Sequence, residues 1–168
     1  MAPDRFLEEY GGQSTNEMIA LASDYRLDSI IIAFHQAMDQ KAARVGTASL
    51  TEEEQIILAV EALETEVNNG GYGQFFVNAC EYVSTIVPSL DRIACPATAR
   101  ITQAAIAALG IRGTLTVDAI ERAMAEEDET RDVTMNELDS AYCDAKEDIA
   151  GRLFEFIKAN RDRIVLTP

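Results

Sequence analysis

Apolar side chains recur along this chain at intervals of three and four residues, with polar residues between them. That interval places them on one face of a helix, whereas a half-buried strand would need strict alternation. The clearest series are Leu27, Ile31, Phe34, Met38, Ala42 and Val45; Ile56, Val60, Leu63 and Val67; and Leu138, Tyr142, Ala145, Ile149, Leu153 and Phe156. Alternation is almost absent, so we predict an all-α protein without significant sheet.

Residues that favour helix ends divide this pattern into elements. A Ser or Thr before a helix accepts hydrogen bonds from free backbone N–H groups, and a Glu three positions later completes a capping box. The start signals are Ser14-x-x-Glu17, Thr51-x-x-Glu54, Pro96 and Thr116. They predict a single compact helical bundle of about seven to nine helices. We expect a polar N-terminal lead at 1–13 and a single acidic all-α domain at 14–168.

The composition restricts the partners of such a domain. The 168 residues carry a net charge of −15, so a phosphate backbone or an anionic membrane surface would repel them. We expect no direct nucleic-acid binding and no membrane association, and we expect cationic partners instead. The three cysteines have no disulfide or metal-ligand spacing, and the N-terminus lacks the apolar core of a signal peptide. These features predict a cytoplasmic protein without a cofactor or a metal.

Catalytic motifs are missing from the sequence. A general base needs an orienting partner and a nucleophile, and no G-x-S-x-G, H-E-x-x-H or Cys/His pair supplies them. The sole histidine, His35, follows Phe34 and is interpreted as a residue on the flank of a helix. We therefore predict that the protein is not an enzyme and has no catalytic residues.

The acidic residues are concentrated in two stretches. Eight acidic residues and no basic one lie between Arg44 and Arg92, and thirteen acidic against four basic residues lie between positions 113 and 155. We take as candidate protein-binding, phosphate-mimicking residues Glu54, Glu61 and Glu64, on the outer side of one predicted helix; Glu126, Glu127, Asp128 and Glu129, in a loop; and Glu137, Asp144, Asp148 and Glu155. In a single continuous helix the last four fall within about 20° of one line over about 27 Å, although two helices joined near Asp144 are the alternative. A simply solvated surface or a salt-adapted composition is the competing explanation for the acidity.

A glycine pair, Gly70-Gly71, follows the long amphipathic run at 52–67 and ends it. The segment runs from Glu66 to Asn78 as Glu-Val-Asn-Asn-Gly-Gly-Tyr-Gly-Gln-Phe-Phe-Val-Asn, and it predicts a helix corner, because glycine adopts left-handed backbone without a steric cost. The corner motif comprises Glu66, Asn68, Asn69, Gly70, Gly71, Gln74, Phe75, Phe76 and Asn78. In a structural interpretation Asn68, Gln74 and Asn78 satisfy exposed backbone groups while the phenylalanines enter the core. In the alternative, Glu66 and these carboxamides line a pocket for a small ligand.

The order Leu63-Glu64-x-Glu66-Val67-Asn68-Asn69-Gly70-Gly71-Tyr72-x-Gln74-Phe75-Phe76-x-Asn78 resembles the signature of a bacterial family. This is the DNA mimic protein family of the nineteen-kilodalton class (DMP), whose members are small acidic helical proteins. The later Leu138-Asp139-x-x-Tyr142, Asp148-Ile149 and Phe156-Ile157 are similar to its C-terminal region, so the likeness covers about residues 27–160. The resemblance implies an all-α fold and an acidic face that occupies the DNA-binding surface of a helix-turn-helix regulator.

Charge and resemblance together lead to a functional expectation. We expect a non-enzymatic DNA mimic that binds the DNA-binding face of a basic DNA-binding protein, a helix-turn-helix transcriptional repressor, and keeps it from its operator. A homodimer would extend the acidic track and is left open. Two alternatives remain: a small-ligand-binding domain centred on the 66–78 corner, and an immunity-type protein that neutralises a basic toxin.

Overall fold

The structure, a computed structural model, describes residues 3–166. Within this range the chain forms eight α-helices and short 3-10 turns, with no β-strand, so the all-α prediction is confirmed. The helices are α1 Thr15–Leu21, α2 Leu27–Val45, α3 Glu52–Asn78, α4 Ile86–Arg92, α5 Pro96–Ala108, α6 Val117–Ala125, α7 Glu129–Ala145 and α8 Ile149–Ala159.

Side-chain caps fix where several of these helices begin. Ser14 Oγ accepts from Glu17 N while a Glu17 carboxylate oxygen accepts from Ser14 N at 2.7 Å, which is the capping box expected for α1. Thr51 and Glu54 form the second box ahead of α3. Pro96 opens α5, where a missing N–H costs least, and Thr116 caps α6. The starts of α1, α3, α5 and α6 were therefore readable from local sequence.

The fold divides into two compact units, which are described separately. The first unit contains the described residues up to Glu61 and from Asp148 onwards, and the second contains Ala62–Glu147. A domain is a part of the chain that folds as one cooperative body, so the single acidic domain expected at 14–168 stays a prediction.

In the first unit, α2 lies against α1 and α8. The buried apolar residues include Met18, Phe34, Met38, Leu153 and Ile157. The predicted polar lead follows α2: Leu7 N donates to Ser29 Oγ at 3.0 Å, and Tyr10 N donates to Gln36 Oε1 at 2.9 Å. The described part of the lead is thus bonded to the helical layer rather than detached from it.

In the second unit, α5 packs against α4 and α7. The core is built around the aromatic residues that follow the glycine pair, because Tyr72, Phe75 and Phe76 are fully buried. Their rings contact one another, with 5.6 Å between the centroids of Phe75 and Phe76 and 6.2 Å between those of Tyr72 and Phe76. The predicted role of both phenylalanines in the core is confirmed.

The last helical region is two helices, α7 and α8. Helix α7 ends at Ala145, Lys146 has a left-handed backbone with φ 51°, and Asp148 caps α8. Between them, Glu147 accepts from the N–H groups of Ala97 at 3.0 Å and Thr98 at 2.7 Å, at the free N-terminus of α5. The alternative of two helices joined near Asp144 is therefore confirmed and the single continuous helix is wrong. Glu137 and Asp144 belong to α7, whereas Asp148 caps α8 and Glu155 lies within it.

Candidate functional site

The glycine corner is a break within α3. Gly70 and Gly71 have non-helical backbone, and helix resumes at once after them. Gly71 has φ 77° and ψ −176°, a region that is essentially restricted to glycine. The predicted corner is confirmed, and the segment from Tyr72 to Asn78 is a second short helical piece that starts in a new direction.

Asp139 of α7 supplies the cap for this second piece. Its Oδ1 accepts from Tyr72 N at 2.7 Å, which satisfies a backbone donor that the break leaves free. A Cβ at Gly71 would overlap the Asp139 carboxyl group. The second glycine is thus needed for two reasons: its backbone conformation, and the close approach of the carboxylate.

The carboxamides of the corner take two different partners. Asn68 Nδ2 donates to the backbone oxygen of Glu64 at 2.7 Å, as the structural interpretation expected. Gln74 and Asn78 instead donate to the same Glu66 carboxylate oxygen, at 2.7 and 2.9 Å, so their expected bonding to backbone groups is wrong. The physical reason is that Asp139 already satisfies the Tyr72 backbone donor, while Glu66 is a charged and therefore stronger acceptor.

Beneath the corner lies a group of buried hydroxyls around one carboxyl. The Tyr142 hydroxyl donates to Glu64 Oε1, and the Tyr72 hydroxyl pairs with Thr102 Oγ1 at 2.8 Å. The two tyrosine rings meet edge to face at 5.9 Å. Burial raises the pKa of Glu64 to about 7, because the surroundings disfavour the charged form. Burial is also the main cause that raises the pKa of Tyr72.

The first predicted acidic row does not face solvent. Glu54 is 0% and Glu61 is 8% exposed, and Glu64 is turned towards Tyr142. Their placement on the outer side of the helix is therefore wrong. Glu54 and Glu64 each bind a partner within their own unit, and a carboxylate held in this way is not available to a partner protein.

Glu54 has a specific structural task in the first unit. Its Oε1 accepts from Lys41 Nζ at 2.7 Å and from Val165 N at 2.8 Å, while Oε2 completes the capping box. Lys41 Nζ also donates to the backbone oxygen of Val165 at 3.0 Å. The segment after α8 is therefore tied to the start of α3 by a buried carboxylate.

The predicted acidic loop is exposed, and Arg131 organises it. Glu126, Glu127, Asp128 and Glu129 are all exposed. Asp128 caps α7 by accepting from Arg131 N at 2.9 Å. The Arg131 guanidinium is buried and donates to the backbone oxygens of Ala123 at 2.5 Å and Glu126 at 3.0 Å. This arginine joins the last turn of α6 to the first turn of α7.

Helix α7 presents an acidic outer face. Its exposed acidic residues are Glu129, Asp132, Glu137 and Asp144. At 100° per residue they lie within an arc of about 140°. Arg131 is the one basic residue in the sequence of α7, and it points inwards. Asp132 was not among the predicted residues; it accepts from Arg131 Nε at 2.9 Å on the edge of this face.

The remaining predicted acids, Asp148 and Glu155, lie in the first unit. Both are exposed, but each has a local partner: Asp148 accepts from Gly151 N at 2.9 Å, and Glu155 pairs with Lys158 at 2.6 Å. Because Arg152 is also exposed, α8 presents mixed charge. The acidic candidates of α7 and those of α8 are thus in different electrostatic surroundings.

An open cleft of about 520 Å³ is found in the first unit, near the start of α2 and α8. It is lined by Pro3, Asp4, Ala22, Tyr25, Arg26, Leu27, Asp28, Asp148 and Ala150. None of these residues belongs to the corner motif that the ligand-binding alternative requires, and Arg26 already pairs with Asp28 at 2.6 Å. The ligand-binding alternative for the corner stays a prediction.

Among residues 3–166, no group of three or more His, Cys, Asp or Glu side chains is arranged to hold a metal ion. No helix in the same range is long and apolar enough to cross a membrane.

The sequence did not reveal that four residues bind other elements in the second unit. They are Thr102, Arg131, Asp139 and Tyr142. For Asp139 and Tyr142 a signal did exist, since the Leu138-Asp139-x-x-Tyr142 pattern was already part of the resemblance. The structure brings that pattern against the glycine corner. No pattern in the sequence marks Thr102 or Arg131. The Thr102 hydroxyl bonds to Tyr72, thirty positions away, and Arg131 binds backbone oxygens, which no side-chain pattern indicates.

Comparison with known proteins places the chain in a family. A family model described as DMP19-like protein matches residues 48–160, which include the corner, the acidic loop, α7 and α8. No curated protein and no solved structure gives a significant match. Since the model covers more than half of the sequence, the chain belongs to the family of DMP19-like proteins.

Proposed function

We propose that this protein is a non-enzymatic DNA mimic that binds the DNA-binding face of a helix-turn-helix transcriptional repressor and prevents the repressor from binding its operator. Family membership is consistent with a DNA mimic. The observation that carries the proposal for this chain is the outer face of α7. Glu129, Glu137 and Asp144 are exposed there without an outward basic residue, and Asp132, which pairs with the inward Arg131, lies at the edge.

The spacing of these carboxylates supports the proposal. From Glu129 to Asp144 the helix rises about 22 Å, and the successive separations of the four acidic residues along the axis are about 4.5, 7.5 and 10.5 Å, on average about 7.5 Å. Phosphates on one DNA strand are about 3.4 Å apart along its axis. Helix α7 would therefore present one carboxylate for about every two phosphates that a basic surface meets on a DNA strand. Glu126 and Glu127, which precede the first turn of α7, add two more carboxylates at that end.

We place the binding surface on α7 and the 126–129 loop rather than on the buried acids of α3. A buried carboxylate would need to leave its partners before it could meet an arginine, at a cost comparable to the contact it would gain. Asp148 and Glu155 are secondary candidates, because neighbouring basic residues reduce the local negative potential.

A pull-down from the native cell extract tests the proposal. Tagged protein at low salt should retain a basic DNA-binding protein, and an operator duplex should compete with this protein for the retained partner. Recovery of no such partner would count against DNA mimicry. Recovery of a basic toxin without operator competition would favour the immunity-type alternative.

Charge reversal then locates the surface. The double variant Glu137→Lys, Asp144→Lys should weaken binding by at least about tenfold, because two attractive contacts become repulsive. The double variant Glu8→Lys, Glu9→Lys, which changes two exposed acids of the N-terminal lead, is the matched control for net charge. Equal loss of affinity in both variants would mean that net charge alone, and not the α7 face, drives association.

A further inference from the structure

Helix α7 has few apolar residues with which to fix its orientation. Apart from the ring of Tyr142, Met135 is the buried apolar residue of this 17-residue helix, and Arg131 is its buried basic one. An amphipathic helix normally sets its rotation by burying a wide apolar stripe. The stripe of α7 is narrow, since Leu138 and Ala145 are only half-buried beside Met135 and Tyr142, so polar contacts help to decide which residues of α7 face outwards.

Polar anchors occur at both ends of the inner face of α7. At the N-terminal end the Arg131 guanidinium donates to the carbonyls of Ala123 and Glu126. In the C-terminal half, Asp139 accepts from Tyr72 N and Tyr142 donates to Glu64. The last two contacts both end on the broken part of α3, one on each side of the glycine pair.

We infer that the glycine corner is the anchor of α7, and that Asp139 and Tyr142 are positioning residues that fix the rotation of this helix and hence the direction of its outward carboxylates. The geometry follows from the break. Continuous helix at residues 70–71 would leave no free N–H at Tyr72 for Asp139 to bind, and a side chain at Gly71 would overlap that carboxylate.

The inference assigns the corner motif a role in the proposed function. Binding of a cationic partner depends on where the α7 carboxylates point, and a rotation of one residue position moves each by about 100° around the axis. The corner would thus act on binding without touching the partner. In this respect the inference rests on the proposed function, although the anchoring itself does not.

Hydrogen exchange of backbone amides tests the anchoring. Asp139→Ala removes the acceptor, whereas Asp139→Asn retains an amide oxygen and should restore much of the contact. Tyr142→Phe removes the hydroxyl alone and keeps the ring against Tyr72. We expect exchange in the C-terminal half of α7 and in residues 72–78 to become about tenfold faster in Asp139→Ala and several-fold faster in Tyr142→Phe, with α4 unchanged.

Two control variants make this result specific. Asp91→Ala removes an exposed carboxylate of α4 and matches the charge change of Asp139→Ala. Tyr10→Phe removes a hydroxyl hydrogen bond in the first unit and matches Tyr142→Phe. Exchange in α7 that matches these controls would overturn the inference. Loss of protection throughout the second unit, without rescue by Asp139→Asn, would also overturn it, because it would show a general contribution to stability.

The affinity of these variants for a polyarginine peptide distinguishes the anchoring of α7 by the glycine corner from the proposed use of α7 as a binding face. If the corner positions the binding face, Tyr142→Phe should weaken peptide binding although it changes no charge. Failure of the proposed binding surface has a different result: α7 exchanges faster in the corner variants, while neither those variants nor Glu137→Lys, Asp144→Lys alter binding relative to their controls. That outcome supports anchoring and removes α7 as the binding face.

Discussion

At the scale of single residues, the corner depends on two requirements that meet at Gly71. Its backbone lies in a region that side chains avoid, and the Asp139 carboxylate occupies the space where a Cβ would be. Gly73, two positions later, has helical backbone, and a Cβ there would meet nothing within 4 Å. The two glycines therefore provide a matched pair for experiment.

Gly71→Ala should lower the free energy of unfolding by about 2 kcal/mol or more, because it adds backbone strain and displaces the Asp139 cap. Gly73→Ala should raise it by about 0.5–1 kcal/mol, since alanine favours helix. Urea denaturation followed by circular dichroism measures both. Equal effects at the two positions would contradict the assigned conformation of Gly71.

The stability of the same region should depend on pH through Glu64. Its pKa is raised from 4.5 to about 7, so between these values the folded protein holds a proton that the unfolded chain has released. Stability from this group is therefore present below about pH 4.5 and is lost as pH rises through about pH 7. Tyr142 bonds to the Glu64 carboxyl, and Tyr72 interacts with it electrostatically.

Glu64→Gln should remove this pH dependence while keeping an oxygen that accepts from Tyr142. Between about pH 4.5 and pH 7, where Glu64 titrates, the unfolding free energy of the variant should rise relative to that of the wild type by on the order of 2 kcal/mol. Denaturation at a series of pH values measures it. Glu137→Gln on the exposed face is the control, and a parallel pH profile for Glu64→Gln and wild type would refute the assignment.

At the scale of elements, helix ends are joined by acidic side chains that come from elsewhere in the chain. Glu147 caps α5, Asp139 caps the second piece of α3, and Glu54 binds the segment after α8. Part of the excess acid thus serves the fold, since carboxylates are favourable at helix N-termini. For this reason, the number of acidic residues in the sequence overestimates the negative charge that the surface presents.

Glu54→Ala should be strongly destabilising, because it leaves the part-buried Lys41 without its carboxylate and frees Val165 N. We expect a loss of about 3 kcal/mol or more. Thermal unfolding measures the loss, with Glu155→Ala on the exposed side of α8 as a control expected to lose less than about 1 kcal/mol. A small effect of Glu54→Ala would mean that solvent reaches the Lys41 site.

At the scale of the whole molecule, the net charge should control the kinetics of the proposed association with a basic partner. A protein at −15 attracts a basic partner over a distance that salt shortens, from about 30 Å at 0.01 M to about 8 Å at 0.15 M. The orientation of the bound partner depends instead on local charge, which the structure distributes unequally between α7 and α8.

The association rate with the recovered partner should fall by about tenfold or more between low and physiological salt, while the dissociation rate changes less. Stopped-flow or surface-based kinetics at several salt concentrations would measure this. The Glu8→Lys, Glu9→Lys control should reduce the association rate mainly through net charge, and the Glu137→Lys, Asp144→Lys variant should raise the dissociation rate as well. An association rate independent of salt would contradict electrostatic recognition.

The sequence by itself determined that the chain is helical and where several of its helices begin. Helical periodicity, capping boxes and proline positions act within a few residues, and so α2, α3, α5 and α6 begin close to where local rules place them. The break at Gly70 and Gly71 was also readable, because glycine pairs weaken helix whatever surrounds them.

Only the tertiary structure decided which acids face solvent. Periodicity placed Glu54, Glu61 and Glu64 outside, yet the fold supplies partners that keep Glu54 and Glu64 inside, namely Lys41 with the segment after α8 for the former and Tyr142 for the latter. The partners of Glu54 and Glu64 are distant in sequence, and no local rule represents a hydrogen bond across such a distance. The same physical reason explains the meeting of Asp139 with the glycine corner.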